Sequence, residues 1–181
     1  MEKYTEWKKE IEKIISQVEG SVCINFYDLN KNNVFSINGD KKVLSASMIK
    51  PLILAELMKK ISENKFSLSD TIMIADSMKT GGDGVLKELN TGHHFTLKEL
   101  ATLMIVVSDN QATNILIDFL GMENINQLGK ELRLKKTFLG RKMMDIEARK
   151  KGYDNYTCAD DISSLLKLIY QEKLINEEAS Q

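Results

Sequence analysis

Residues 47–50 read Ser-Met-Ile-Lys, and they lead directly into Pro-Leu-Ile-Leu-Ala-Glu-Leu-Met at residues 51–58. The second stretch consists almost entirely of strong helix formers, so we expect Ser47 in the first turn of a helix, with Lys50 one turn further on. Pro51 is tolerated near a helix start because the first N–H groups have no partner inside the helix. At this spacing a lysine amine of lowered pKa can accept the serine proton. Alone, the pattern is weak, because it is more often an ordinary helix start with a solvated lysine.

A second polar stretch, Ser108-Asp109-Asn110, ends the apolar run of residues 100–107 and precedes another helical pattern at residues 114–120. It predicts a tight connection between two helices that projects polar side chains into a cleft. The alternative is that Asp109 or Asn110 only caps the following helix, a common use of both residue types. The two stretches, in this order along the chain, indicate a nucleophilic serine site built from both.

Together these motifs resemble those of the class A β-lactamases and their penicillin-binding relatives, whose signatures are Ser-x-x-Lys, Ser-Asp-Asn and Lys-Thr-Gly. The resemblance runs through nearly all of the chain and includes residues 97–104, 108–114 and 140–160. It implies an α+β fold with a mainly helical part and an antiparallel sheet. It also implies a serine hydrolase that opens the β-lactam ring through an acyl-enzyme.

The same resemblance implies a role for each motif residue. Ser47 would be the acylated nucleophile, and Lys50 would be its proton partner. Ser108 would pass a proton to the leaving nitrogen, and Asn110 would hold the substrate amide and the lysine.

Glu147, in the irregular segment 141–155, would by the same resemblance activate the water that hydrolyses the acyl-enzyme. The match in this segment is partial. The family usually has an asparagine four residues after that glutamate, where this chain has Lys151, and Asn155 replaces the aspartate that closes the loop. Glu147 is equally well a solvated residue of a short charged helix.

The third family motif is spelled by Lys79-Thr80-Gly81, but it precedes Ser108 and runs into Gly82-Asp83-Gly84. In the family this motif follows the other two and lies on a strand that lines the cleft. We therefore interpret the tripeptide as a loop outside the cleft. The family's own strand motif would be expected beyond Gln181, together with the last strands and the closing helix.

The chain is interpreted as a single domain over residues 1–181, with a helix and a β-hairpin in residues 1–40 and a helical part with both motifs in residues 41–181. Trp7, Ile11, Ile14, Ile15 and Val18 predict the apolar face of a first helix, which Gly20 can end. Alternating apolar residues then predict two strands joined by a turn at Asn30 to Asn33. Two further helix starts carry capping-box patterns. Those patterns are Thr96 with Glu99, and Thr157 with Asp160. An isolated hairpin is marginal in water, so residues 1–40 should pack on the helical part, pair with another chain or remain partly exposed. Association with a missing C-terminal segment is a further alternative.

The amino-acid composition and net charge restrict the kinds of molecule that the protein is expected to bind. With 43% hydrophobic and 28% charged residues, 181 residues can bury a substantial core. A net charge of −1 with interspersed signs gives no footprint for nucleic acid, so the expected partner is a small molecule. The family resemblance implies that this molecule is a β-lactam or a cell-wall peptide. We expect no cofactor, and no metal because the adjacent His93 and His94 cannot form a helical zinc site. Cys23 and Cys158 are expected to be free buried thiols.

The N-terminal residues form a charged amphipathic segment without the apolar core of a signal peptide, and no stretch is long enough to span a bilayer. As given, the chain is expected in the cytoplasm, or else its export signal has been removed, since the family it resembles is usually exported. Two alternatives to a hydrolase stay open. One is a penicillin-binding protein, similar to the D,D-peptidases, that deacylates slowly, and the other is a non-catalytic binding domain.

Overall fold

The computed structural model describes residues 2–31 and 33–176. Within them the chain forms short antiparallel strands and a larger set of helices, which is the α+β class that the sequence predicts. A 3₁₀ turn at Ala46–Ile49 leads into the second helix. In chain order the elements are α1 (Glu2–Ile15), β1 (Ile24–Asp28), β2 (Asn33–Ile37), β3 (Val43–Leu44), α2 (Lys50–Ser62), β4 (Thr71–Met73), β5 (His94–Thr96), α3 (Leu97–Val106), α4 (Asn110–Leu120), α5 (Met122–Glu131), α6 (Ile146–Lys150), β6 (Tyr156–Thr157) and α7 (Ala159–Tyr170).

The described strands pair two by two. β1 and β2 form the predicted antiparallel hairpin, in register from Ile24 opposite Ile37 to Asp28 opposite Asn33. The predicted turn includes Asn32, which lies outside the described residues. β3 pairs with β6, and β4 pairs with β5, both antiparallel. In the described structure β1 is therefore paired along one edge only, and its other edge borders a groove.

The first helix packs on the hairpin through aromatic rings. The Trp7 ring meets the Phe26 ring edge-on with 6.0 Å between the centroids, and Phe26 stacks on Phe35 at 5.0 Å. The helix ends at Ile15, before the Gly20 that the sequence suggests as its end. Ile14 on the predicted apolar face is 63% exposed, so the hairpin covers only part of that face.

The hydrophobic core lies among the helices of the motif-bearing part. α2 is central, and it packs against α3, α4 and α5. The start of α3 has the predicted capping box, in which the Thr96 hydroxyl accepts from the Glu99 N–H and the Glu99 carboxylate accepts from the Thr96 N–H. The largest fully buried side chains of this core are Ile49, Leu52, Ile53, Leu57, Ile74, Leu86, Leu97, Leu100, Met104, Leu116, Ile117 and Ile125.

The second predicted capping box does not form. The Thr157 hydroxyl is used elsewhere in the interior, and the Asp160 carboxylate accepts from the Asn25 amide at 2.7 Å and from the Ser36 hydroxyl at 2.9 Å. These bonds tie the start of α7 to both strands of the hairpin. The prediction was wrong because partners from distant parts of the chain compete for the same side chains.

Candidate active site

Ser47 lies in the exposed 3₁₀ turn that precedes α2, and Lys50 is the first residue of α2. The sequence predicts Ser47 in the first turn of the helix, whereas the structure places it in the 3₁₀ turn that immediately precedes the helix. Ala46, immediately before Ser47, has a φ of 44°, in the left-handed region that is costly for residues other than glycine. The turn directs the Ser47 hydroxyl toward the neighbouring loop, where its Oγ lies 2.9 Å from Ser108 Oγ.

The Lys50 amine is buried beneath this contact, with 2% of the residue exposed. Its Nζ donates to the Ser108 carbonyl at 2.7 Å and contacts Ser108 Oγ at 2.8 Å. It also donates to Asn110 Oδ1 at 3.4 Å. The structure thus brings together four of the five residues that the sequence proposes for the site, and Ser108 lies between the nucleophile candidate and the amine.

Burial lowers the pKa of Lys50 below the usual value for lysine, because desolvation disfavours the charged amine. The negative charges of Asp109 and Asp83 act in the opposite direction and are outweighed. A lowered pKa increases the fraction of neutral amine at a given pH, which is the form that can accept a proton.

The loop that carries Ser108 is fixed by the aspartate of the same motif. The buried Asp109 carboxylate accepts the N–H groups of Val85 and Leu86, both at 2.7 Å, and also the N–H of Ala112 in the first turn of α4. Asp109 therefore caps α4, as the simpler interpretation holds, but it also holds residues 84–86 against the motif. Sequence reasoning missed this second role.

Gly84 makes that close approach sterically feasible. Its φ is +121°, and a Cβ at this position would overlap the Asp109 carboxyl and lie 2.7 Å from the Asp109 Cα. The short Gly-Asp-Gly run at residues 82–84 was the signal in the sequence, because glycine is the usual residue where backbone must approach closely.

The tripeptide Lys79-Thr80-Gly81 is a loop, as expected, and Lys79 pairs with Asp76 at 3.0 Å. It also lies outside the cavity at Ser47, as expected, because none of its three residues lines that cavity. The Gly81 carbonyl accepts from the Asn110 amide at 3.4 Å, so the backbone of this loop supports Asn110 from behind.

A second loop, residues 140–155, borders Ser47 from the other side. Its two ends are held together, since the Asn155 side-chain oxygen accepts the N–H groups of Gly140 and Arg141 at 2.8 and 3.0 Å. Arg141 Nε also pairs with the Asp154 carboxylate at 2.9 Å. Asn155 thus performs the closure that the family assigns to an aspartate.

Between the two loops lies a cavity of about 230 Å³ next to Ser47. The Asn114 amide fixes one wall, because it accepts the Met143 N–H at 2.7 Å and donates to the Met143 carbonyl at 3.0 Å. The cavity is lined by Ala46, Ser47, Asp83, Asn110, Arg141, Met143, Met144, Asp145, Ile146 and Arg149.

Glu147 is absent from that lining. Its side chain is 74% exposed and pairs with Lys150 at 2.8 Å on the outer side of α6. This placement is that of a solvated residue in a short charged helix, which is the second interpretation that the sequence leaves open.

Among residues 2–31 and 33–176, no group of three His, Cys, Asp or Glu side chains is arranged to hold a metal ion. Cys23 and Cys158 carry free thiols, and Cys158 is buried while Cys23 is partly exposed. None of the helices in the described part of the chain is both long and apolar enough to cross a membrane.

A comparison with known protein families finds a match over nearly the whole chain. A model of the beta-lactamase enzyme family matches residues 6–181, and the chain belongs to that family. The comparison with curated proteins finds no match.

Solved structures give the same fold. A beta-lactamase from Sphaerobacter thermophilus DSM 20745 is 28% identical with a TM-score of 0.84, and the match covers 90% of this chain and 60% of that one. The protein PBP-A is 25% identical with a TM-score of 0.87, over 97% of this chain and 65% of that one. The TLA-1 extended-spectrum beta-lactamase is 18% identical with a TM-score of 0.86, and the match covers 96% of this chain and 64% of that one. At this identity the likeness shows the fold alone. The present chain thus spans just under two thirds of the length of these structures.

Proposed function

We propose that the protein is a serine acyl-transfer enzyme that opens the β-lactam ring and forms an acyl-enzyme on Ser47. The observation that supports this most directly is the continuous contact from Ser47 Oγ to Ser108 Oγ, at 2.9 Å, and on to Lys50 Nζ, at 2.8 Å. A serine hydroxyl is a weak nucleophile unless a neighbouring base removes its proton.

The hydrogen bonds of Lys50 are compatible with such a base. A neutral amine has two N–H donors and one lone pair, and the Ser108 carbonyl and Asn110 Oδ1 are both acceptors. With the donors used there, the lone pair faces Ser108 Oγ. Ser108 can then give its proton to Lys50 while it accepts the proton of Ser47.

In the proposed acylation, Ser47 Oγ forms a bond to the lactam carbonyl carbon, and the Ser47 proton passes to Ser108 as the Ser108 proton passes to Lys50. The carbon–nitrogen bond of the ring then breaks, Ser108 gives its proton to the released nitrogen, and Lys50 returns its proton to Ser108. The Asn110 amide lies where it can orient the substrate amide. Water hydrolyses the ester in a second step and regenerates the Ser47 hydroxyl.

We propose further that this second step is slow, which favours the penicillin-binding alternative. Glu147 is exposed and paired with Lys150, so this carboxylate cannot activate water at Ser47 from its present position. Among the structures similar to this chain, one is described as an acyl-enzyme complex of a PBP-A mutant with penicillin G, at 25% identity. A long-lived acyl-enzyme is the behaviour that we expect here.

A fluorescent penicillin tests the proposal. We expect covalent labelling of the wild-type chain at Ser47, located by mass spectrometry, and no labelling of Ser47→Ala. Ser69→Ala removes an exposed serine outside the site and is the matched control, with labelling like the wild type. An adduct on another serine would overturn the assignment, and absence of labelling in every variant would favour a binding domain without catalysis.

We also propose that the site is completed by a strand-forming segment, either a C-terminal continuation or another chain. An open groove of about 670 Å³ runs between β1 and α7 and reaches Met48, next to Ser47. Leu44, Met48 and Leu166 line it, and each is about half exposed. An extended segment can hydrogen-bond to a free strand edge and place alternate side chains in such a groove.

This second proposal has its own test. A fusion in which the C-terminal third of PBP-A follows Gln181 should label with the fluorescent penicillin much faster than the 181-residue chain. Leu166→Asp in the groove should remove that gain without abolishing the slow basal labelling. Equal labelling rates for the fusion and the unfused chain would show that no added segment is needed.

A further inference from the structure

A basic cleft borders the 140–155 loop but shares no lining residue with the cavity at Ser47. Its volume is about 520 Å³. Four lysines from three separate parts of the chain converge on it, namely Lys42, Lys130, Lys135 and Lys136. We call it the lysine cleft.

These lysines are not neutralised by the described part of the protein. None of the four forms an ion pair with a carboxylate in residues 2–31 or 33–176. Asp154 lines the cleft but is held by Arg141 at 2.9 Å and by Arg149 at 3.5 Å. The nearby Asp161 carboxylate is occupied by the N–H groups of residues 135–137.

The concentration of positive charge is large for this chain. The whole chain carries a net charge of −1, so four unpaired ammonium groups in one cleft leave the remaining surface net negative. Like charges lined up along a concave surface raise the local concentration of anions.

Aromatic rings form the second feature of the cleft. Phe138 and Tyr156 are paired across an antiparallel bridge, which places both rings on one face. The Lys42 ammonium lies 3.7 Å from the centroid of the Tyr156 ring. Phe138 is 49% exposed, and Tyr153 at the rim is 59% exposed, so their rings are free to contact a ligand.

We propose that the lysine cleft binds an anionic polysaccharide. The ammonium groups contact its carboxylate or phosphate groups, and the rings of Phe138 and Tyr153 pack on the C–H faces of its sugars. All of the positively charged side chains that line the cleft are lysines, and a lysine ammonium acts as a point charge. Nucleic-acid recognition usually relies on the planar fork of arginine, and the arginines near the cleft are engaged with Asp154. This proposal is independent of the chemistry at Ser47.

Isothermal titration calorimetry of the 181-residue chain tests the proposal with four probes of similar length. The probes are hexagalacturonate, phosphorylated maltohexaose, neutral maltohexaose and hexathymidylate. We expect at least one acidic sugar to bind and neutral maltohexaose not to bind, and the tighter of the two acidic sugars identifies the preferred anionic group. Equal binding of the neutral sugar, tighter binding of hexathymidylate, or no binding of either acidic sugar overturns the proposal.

Variants then locate the site. Replacing the four cleft lysines with alanine should weaken the binding of the acidic sugar at least tenfold. The control variant replaces four exposed lysines elsewhere and so removes the same charge. It should bind the acidic sugar with an affinity within twofold of the wild type. The control lysines are Lys9, Lys13, Lys98 and Lys173. Equal losses in the two variants would assign the binding to overall charge and overturn the site. If circular dichroism shows that the cleft variant is unfolded, Lys135→Gln with Lys136→Gln replaces it.

Tyr153→Ala tests the ring contact separately. This variant should lower the affinity for the acidic sugar several-fold, although it keeps all four lysines. An unchanged affinity in this variant would overturn the assignment of a sugar ligand, because charge alone would then account for the binding.

Discussion

The two loops that flank Ser47 differ in how they are held. On one side, residues 81–86 and the Ser108-Asp109-Asn110 motif are fastened by a buried carboxylate that accepts three backbone N–H groups. On the other side, the 140–155 loop is fastened at its two ends, while α6 in its middle faces solvent and carries the exposed Glu147. The residues proposed for acylation are therefore held by buried hydrogen bonds, whereas Glu147, which the sequence suggests for deacylation, is exposed and pairs with Lys150. The five predictions below test this difference, from the largest expected effect to the smallest.

Lys50→Met should have the largest effect. It keeps a side chain of similar length but removes the only amine in contact with Ser108 Oγ in the described site. General-base help contributes about 100- to 10,000-fold, so the rate of labelling by a fluorescent penicillin should fall by that order. Lys98→Met on the exposed face of α3 is the control and should label like the wild type.

The pH dependence of labelling sharpens this first prediction. The neutral amine is the reactive form, and desolvation lowers the pKa of Lys50. The labelling rate should therefore rise with pH through a midpoint below the usual pKa of lysine. A midpoint at or above that usual pKa would contradict the proton transfer to Lys50.

Gly84→Ala should be the most destabilising single change. A non-glycine residue at this positive φ stores about 1–3 kcal/mol of strain, and the added Cβ would also overlap Asp109. Chemical denaturation should show a larger loss of unfolding free energy than for Gly92→Ala, where φ is +88° but no atom lies within 4 Å. Equal losses in the two variants would show that the close approach to Asp109 adds nothing.

Acid should weaken the anchor of the segment that leads into the 140–155 loop. Burial by itself would raise the pKa of Asp161, but hydrogen bonds from the backbone of Lys136, Lys135 and Thr137 outweigh it, and the net pKa is lowered. The stabilisation from Asp161 is therefore complete above the unfolded-state pKa, about 3.9, and is lost as the pH falls through the lower folded-state value. Below about pH 4 the unfolding free energy of the wild type should decline more steeply than that of Asp161→Asn. Parallel declines would contradict this assignment.

Glu147→Gln should have the smallest effect. The carboxylate is exposed and paired with Lys150, and surface pairs of this kind contribute about 0–1 kcal/mol. The lifetime of the penicillin acyl-enzyme on Ser47 should be the same in wild type and variant. If the variant's acyl-enzyme lives much longer, the loop must rearrange to bring Glu147 to the ester, and the protein would be a hydrolase with full turnover.

Some of this molecule could be predicted from the sequence, and the reason is locality. The hairpin, the Thr96 capping box and the Ser47 and Lys50 spacing depend on residues a few positions apart. Ser108 and Asn110 could be added because their motif is short and chemically distinctive. The contact of Asp109 with residues 85 and 86, and the ties from Asp160 to the hairpin, depend on distant segments and leave no local pattern.

The lysine cleft shows the same limit for charge. Interspersed signs and a net charge of −1 gave no basic footprint along the sequence. Lys42 and Lys136 become neighbours of one cleft only because strand pairing brings residues 44, 138 and 156 together. Linear charge patterns cannot report a cluster that folding assembles.

Asn155 joins the two ends of the 140–155 loop, and its being an amide affects how that loop responds to acid. An amide oxygen holds the two N–H groups of Gly140 and Arg141, and an amide has no proton to gain in the physiological range. A carboxylate in the same place would be charged, and its hydrogen bonds to these two N–H groups would weaken once it was protonated. The closure that Asn155 provides is thus insensitive to acidification, and a fall in pH would act on this loop through Asp154 and its arginine partners instead.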